Sequence, residues 1–207
     1  MKTPRKITVK APAKVNLYLK VLGKRPDGYH DLLSVMQALD LADELTFERS
    51  GAGIEITCDS AEVPPGPGNI VYRAAEMMLA LPGARGGAKI DIRKMIPVAA
   101  GLGGGSSDAA ATLRGLNLVL GLGLPERRLR DIGLSLGADV PFFLSWPTAR
   151  AEGVGEVLSP LPSPDAWLVL VNPGFGVSTA WVFGSLNFEL TNRFNNTKLP
   201  QFEGQAP

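Results

Sequence analysis

The chain has 207 residues, with 21 Lys and Arg against 20 Asp and Glu, a net charge of +1 and 45% apolar residues. That length suits one sizeable domain or one and a half, and the apolar share is ample for a packed core. Near-neutral charge excludes a general electrostatic hold on nucleic acid or on an acidic membrane. The lone cysteine, Cys58, excludes an internal disulfide and fits a reducing, cytoplasmic setting. No signal peptide, transit peptide, membrane span or internal repeat is legible.

From the N-terminus, Ile7, Val9 and Ala11 alternate as a strand until Pro12 interrupts. Val15, Leu17, Leu19 and Val21 resume the alternation. Lys14, Asn16, Tyr18 and Lys20 are therefore expected on the opposite face. Pro26-Asp27-Gly28 reads as a turn. Tyr29 to Leu41 is apolar and ambiguous between strand and helix. Leu45 and Phe47, then Ile54 and Ile56, read as a hairpin around Ser50-Gly51-Ala52-Gly53. Asn69 looks like the cap of a helix whose apolar stripe is Val71, Ala74, Ala75, Met78 and Leu79. Lys89 to Ile96 alternates as a strand. Leu113, Leu116 and Leu120 give one helix, ended by Gly121 and Gly123. Leu129, Ile132 and Leu136 give the next, with Pro125 near its first turn and Gly137 at its end. Val140 to Leu144 reads as strand-like, and Trp167 to Val171 as a buried strand. Ser178 reads as the cap of a short helix, and residues 192–207 are polar and aperiodic. Early strands with irregularly interleaved helices make the class α+β.

Between the strand ending at Ile96 and the helix of Leu113 lies Pro97-Val-Ala-Ala-Gly101-Leu102-Gly103-Gly104-Gly105-Ser106-Ser107-Asp108. Glycines let backbone approach a ligand and adopt positive φ. The free amides and dipole of a following helix start favour an anion, a nucleotide phosphate in this reading. Ser106 or Ser107 is expected to cap that helix. A plain glycine-rich turn competes with this reading, but two serines placed at a helix start favour phosphate. The run is not a P-loop, because no Gly-Lys-Ser/Thr ends it. It also departs from G-x-G-x-x-G, with Ser106 where the third glycine belongs.

Three further residues stand out singly. Lys14 lies beside Pro12, where a strand end or bulge can aim a side chain. Asp139 sits between a helix end and an apolar run. His30, the lone histidine, has no cysteine partners and makes no metal site. Each alone reads as ordinary surface or turn.

Taken together, Ala13-Lys14-Val15-Asn16, Arg25-Pro-Asp-Gly-Tyr29-His30-Asp31, the glycine-serine run and Gly137-Ala-Asp139-Val-Pro141-Phe142 resemble one family. The resemblance is to the 4-diphosphocytidyl-2-C-methyl-D-erythritol kinases of the GHMP kinase superfamily, and it runs from about Ile7 to about Phe183. It implies the GHMP kinase fold: an ATP-binding, ribosomal-protein-S5-domain-2-like part over 1–149 and an incomplete C-terminal substrate-binding part over 150–207. It further implies ATP-dependent phosphorylation of a methylerythritol hydroxyl on a cytidine-diphosphate-linked small molecule, in the non-mevalonate isoprenoid route. Asp139 is implied as base, with Lys14 beside it. Asn69, Lys94, Pro97 and Gly101, Leu102, Gly103, Gly104, Gly105, Ser106 and Ser107 are implied for ATP. Asn16, Tyr29, His30, Val154 and Phe183 are implied for the substrate. Mg²⁺ is expected to arrive with ATP rather than in a dedicated protein cage.

The resemblance also implies a third glycine-rich loop of Ser-Gly-x-Gly type near the C-terminus, and no such run occurs in this sequence. The expectation is a truncated second domain with weak or absent activity and poor solubility, both restored by adding back the family's C-terminal segment. Rival readings are a GHMP kinase for another small alcohol and an inactive nucleotide-binding remnant. A dinucleotide-dependent oxidoreductase is disfavoured, because no early βαβ unit surrounds the loop.

Overall fold

The computed structural model describes residues 3–174, 176 and 179–185. Two long strands, β1 (Lys6–Lys24) and β2 (His30–Ser50), form an antiparallel hairpin. Its turn is the one predicted at Pro26-Asp27-Gly28, with Gly28 at φ 87° and Arg25 N donating to Tyr29 O at 2.7 Å. The ambiguous stretch from Tyr29 to Leu41 is strand from His30 onward. β2 pairs with β1 along one edge and, along the other, with β5 (Thr148–Gly153) through Leu32–Gln37 and with β4 (Gly87–Arg93) through Glu44–Ser50.

The single alternation expected along Lys14–Val21 does not hold. The β1–β2 register shifts between Pro12 and Lys14 and again between Asn16 and Tyr18. Pro12 cannot donate to the ladder, and the first shift leaves Ala13 and Lys14 buried in succession. Beyond the second shift Leu19 and Leu22 are exposed.

The hairpin expected between Leu45–Phe47 and Ile54–Ile56 is also corrected. β3 (Ile54–Cys58) does not pair with β2; β4 lies between them, parallel to β3 and antiparallel to β2. Gly87 makes this possible. A side chain there would lie within 2.6 Å of Ala52 O, so only glycine lets β4 start beneath the 50–53 turn. The parallel β3–β4 pair needs a crossover, supplied by helix α1 (Ile70–Leu79). Asn69 caps α1, its Oδ1 accepting from Val71 N at 2.9 Å, and Val71, Ala74, Ala75 and Met78 are buried as the stripe predicts.

Helix α2 (Gly104–Val119) lies across β1 and β2 and against α1. Leu113 and Leu116 meet Phe47, Ile90, Ile92 and Met78 in one core. Gly115 is required at this crossing: a methyl there would sit 2.7 Å from Phe47 Cγ. Gly115→Ala is therefore expected to destabilise the fold by about 1–3 kcal/mol, although alanine favours helix. A thermal melt checks it; an unchanged or higher Tm would mean that Phe47 can yield.

Helix α3 (Glu126–Leu136) buries Leu129, Ile132 and Leu136, with Pro125 as its N-cap residue. The run Val140–Leu144, read as strand-like, is instead one helical turn, α4 (Val140–Phe143). Pro141 in its first turn suits a helix start and not a central strand. β5 and β6 (Val157–Pro160) complete a six-stranded sheet that runs on past position 150. Trp167–Val171 is not the buried strand expected. It has no regular structure, and Trp167, Val169 and Val171 are almost fully exposed. No strand among the described residues lies beside it to complete a ladder. Ser178 and residues 192–207 lie outside the described residues, whereas the backbone of α5 (Thr179–Gly184) is described.

Candidate active site

The glycine loop leaves the sheet after β4. Ile96 is buried, Pro97, Val98 and Ala99 are exposed, and the chain then turns through three left-handed residues. These are Ala99 (φ 56°), Gly101 (φ 75°) and Gly103 (φ 72°). Ala99 is the one non-glycine residue with positive φ among those described, a strained conformation that the surrounding structure must hold. The serine cap expected for α2 is corrected. The helix begins at Gly104, so Ser106 and Ser107 lie inside its first turn, and no side chain caps it. Gly103 has no side chain to offer. The first amides of α2 are left facing outward with the positive end of the helix dipole, an arrangement suited to an anion. Ser107 Oγ is buried without a partner, as is Asn69 Nδ2 at the start of α1. Both are polar atoms that a phosphate, its metal or a base could satisfy.

The bulge after Pro12 brings Lys14 to this loop. Lys14 N donates to Leu102 O at 2.9 Å, and its Cγ lies 2.9 Å from where a Gly103 side chain would begin. Lys14 is 6% exposed. Its Nζ lies 3.6 Å from Asp139 Oδ2 and donates to Asn16 Oδ1 at 3.3 Å. Asp139 stands in the turn between α3 and α4, where Val140 N donates to Gly137 O at 3.1 Å. Its side chain is one-third exposed, so it is reachable from solvent. Two more elements close around it. A Cβ at Gly155, in the β5–β6 turn beside Val154, would lie 4.0 Å from Asp139 Oδ1, and one at Gly137 would lie 3.9 Å from Ser106 Oγ. Five separate segments thus converge: β1, the glycine loop, the start of α2, the α3–α4 turn and the β5–β6 turn. A cavity of about 330 Å³ lined by Thr3, Arg5, Arg49 and Val119 shares no residue with this cluster.

Lys94 is held differently from a free phosphate ligand. Its Nζ donates to Asp43 Oδ2 and, at 2.8 Å, to Asp108 Oδ2, and all three side chains are buried. Burial pushes the Asp108 carboxyl up to about 7, with Lys94 opposing the shift and Asp43 adding to it. Burial works against the charged Lys94, but Asp108 and Asp43 outweigh it and hold the ammonium above its usual range. A carboxyl raised on folding stabilises fully below its unfolded value, near 3.8, and that contribution is lost as pH rises through about 7. Relative to Asp108→Asn, the wild type is expected to lose Tm steadily between about pH 4 and pH 8, with an upper bound of about 4 kcal/mol. Parallel Tm profiles for the two proteins would contradict that assignment.

Of the remaining predicted residues, Tyr29 and His30 lie apart from the cluster, whereas Val154 lies in the β5–β6 turn that reaches Asp139. Tyr29 and His30 are at the tip of the β1–β2 hairpin, and Tyr29 is exposed. His30 pairs with Lys24, eight residues along β2 from Ala38, the partner of Lys14; that is ~25 Å if the strand were straight. Arg25 bridges Asp27 and Asp31 beside them. Val154 N donates to Glu156 Oε2 at 2.7 Å in its turn. The side chain of Phe183 lies outside what is described. Asp43 and Asp108 were not singled out from sequence as partners of Lys94. The signal was available: Asp43 shares the face of β2 that carries Leu45 and Phe47, and Lys94 continues the inward series Ile90, Ile92. Opposite charges on two inward faces call for each other.

The chain is similar to known proteins along nearly all of its length. The model of the GHMP kinases N terminal domain matches residues 69–145. The 4-diphosphocytidyl-2-C-methyl-D-erythritol kinase of Geobacter sulfurreducens is 56% identical over 200 residues, covering 96% of this chain and 71% of the relative. That of Geobacter metallireducens is 55% identical, covering 96% and 70%. A crystal structure of 4-(cytidine 5'-diphospho)-2C-methyl-D-erythritol kinase superposes with a TM-score of 0.74 at 39% identity, over 88% of this chain and 65% of that one. A homoserine kinase from Cytophaga hutchinsonii shares the fold, with a TM-score of 0.63 at 22% identity, over 79% and 54%. With this level of identity along nearly its whole length, the chain belongs to the 4-diphosphocytidyl-2-C-methyl-D-erythritol kinase family, within the GHMP kinases.

Proposed function

We propose that this chain transfers the terminal phosphoryl group of ATP to the methylerythritol hydroxyl of a cytidine-diphosphate-linked substrate, with Asp139 as base and Lys14 assisting. The reaction belongs to the non-mevalonate supply of isoprenoid precursors. The observation that carries this reading is the Lys14–Asp139 pair, 3.6 Å apart, with Lys14 tied by its own backbone to the glycine loop.

Asp139 accepts the proton of the attacking hydroxyl, a contribution of about 10²–10⁴-fold. Lys14 sits between that oxygen and the phosphoryl group, where its charge offsets the negative charge gathered there. The amides of Gly104, Gly105 and Ser106 and the Ser107 hydroxyl hold the phosphates, and the orphaned Ser107 Oγ fits that use. Mg²⁺ arriving with ATP would neutralise phosphate charge, and Ser106 or Ser107 would be the hydroxyl to contact it. Asn69 Nδ2 is the group at hand for the adenine. Tyr29, His30, Val154 and Phe183 are assigned to the cytidine side, and Asn16 to the acceptor. In this reading an ATP-binding body over 1–149, whose sheet continues to Pro160, is followed by a substrate-binding remainder, and the protein works in the cytoplasm. No described helix is long and apolar enough to cross a membrane.

Calorimetry tests the nucleotide half of the reading. Mg·ATP is expected to bind the wild-type chain, and Gly104→Pro, which removes the first amide of α2 and disfavours the left-handed Gly103 before it, is expected to weaken that binding sharply. Equal affinity in both proteins would move the nucleotide elsewhere.

A further inference from the structure

The glycine loop is largely exposed and turns left-handed at Gly101, at Gly103 and at one alanine, Ala99 at φ 56°, so something beneath it must fix its shape.

 The fixing groups are Asp43 and Asp108. Asp43 is fully buried on β2, and its Oδ1 accepts from Met95 N at 2.6 Å and from Ile96 N at 2.8 Å, the two amides that lead into the loop. Its Oδ2 accepts from Lys94 Nζ, which also donates to Asp108 Oδ2 at 2.8 Å, one turn into α2 where the loop ends. Lys94 N donates to Asp59 Oδ1 at 2.8 Å, tying the same point to the end of β3. The Ile96 side chain and Lys94 Nζ lie 3.2 and 3.5 Å from where a Gly104 side chain would begin. Entry and exit of the loop are thus clasped by one ammonium between two carboxylates.

We propose that Asp43 and Asp108 are positioning residues for the nucleotide loop, holding its two ends together through Lys94 so that residues 97–103 keep one shape before any ligand arrives. Buried ion pairs are poor stabilisers compared with apolar packing of the same volume. A cluster with two carboxyl groups for one ammonium offers no net positive charge to draw an anion. Its geometric consequence, a closed loop base, is what the three side chains supply. The purpose given to the loop rests on the nucleotide-binding reading above; the clasp itself does not.

The test is amide hydrogen exchange on the ligand-free chain, paired with calorimetric titration of Mg·ATP. In Asp108→Ala, the amides of Met95, Ile96 and Ser107 and the Lys14 amide bonded to Leu102 are expected to exchange about tenfold faster or more, while α1 and the Phe47 segment keep their protection. Mg·ATP affinity is expected to fall about tenfold, because the loop must then be ordered on binding. Asp108→Asn, whose amide oxygen still accepts from Lys94, is expected to restore both readings to within about threefold of wild type. Should Asp108→Ala not fold, Asp108→Ser, too short to reach Lys94, carries the same expectation. Unchanged exchange at these amides, or an equal rise everywhere, overturns the clasp. A wild type that does not bind Mg·ATP counts against the proposed function instead, and the exchange data then decide the clasp alone.

Discussion

Asp139→Asn is expected to lower turnover by about 10²–10⁴-fold while leaving Mg·ATP affinity within a few-fold of wild type. The amide keeps the shape of the carboxylate but cannot take the proton of the acceptor hydroxyl. Asp139 touches the loop elements only through Lys14 and the neighbouring turns, so the nucleotide cradle survives its loss. Lys14→Ala is expected to act differently. It removes the partner of Asp139 and the side chain packed under Gly103, so it lowers turnover and also weakens Mg·ATP binding. Steady-state kinetics beside calorimetry checks both. Asp139→Asn turning over at the wild-type rate would remove Asp139 from the chemistry.

The second large effect is expected at Gly103. Its φ of 72° disfavours any side chain, and a Cβ there would lie 2.8 Å from Phe143 Cζ and 2.9 Å from Lys14 Cγ. Gly103→Val therefore combines a left-handed β-branched residue, costing about 1–2 kcal/mol, with overpacking of about 1–3 kcal/mol. Either Phe143 or Lys14 must move. A misplacement of about 1 Å at Lys14 is enough for a loss on the order of 10²-fold in turnover. Gly101→Ala makes the comparison, since Gly101 has a similar φ of 75° but open space around it. Only the conformational cost applies there, so the loss is expected to be much smaller. Equal losses in the two variants, measured as kcat and Tm together, would show that the backbone conformation and not the Lys14 contact is what matters.

Local signals in the sequence were faithful where local physics decides the outcome. Asn69 caps α1 because its short side chain reaches Val71 N, and the stripe of Val71, Ala74 and Met78 buries as a helical period requires. The strand–glycine–helix order delivered the helix start at Gly104, though without the serine cap expected there. Where the outcome depends on distant partners, the sequence was silent or misleading. Nothing near Phe47 or Ile56 announces that β4 will slip between their strands; the residue that permits it, Gly87, lies 40 positions beyond the first and 31 beyond the second. Val140–Leu144 is apolar enough for a strand, and Pro141 was the cue to a helical turn. Trp167–Val171 has the composition of a buried strand, yet composition cannot supply a neighbouring ladder. At the candidate site, Lys14 and Asp139 stood out by position, but only the resemblance gave them catalytic roles, because each alone looks like surface or turn. Their approach depends on the bulge after Pro12, which the proline hinted at. Asp43 and Lys94 were legible as charges on inward faces, and that alternation was the overlooked cue.

The central claim is that the elements converging on Lys14 and Asp139 pass a phosphoryl group from ATP to an alcohol. Phosphorus NMR of the wild-type chain incubated with Mg·ATP and 4-diphosphocytidyl-2-C-methyl-D-erythritol tests it most directly. A new phosphate monoester signal growing in step with ADP is expected, and none when the acceptor is left out. A folded chain that binds both compounds yet forms no monoester would contradict it.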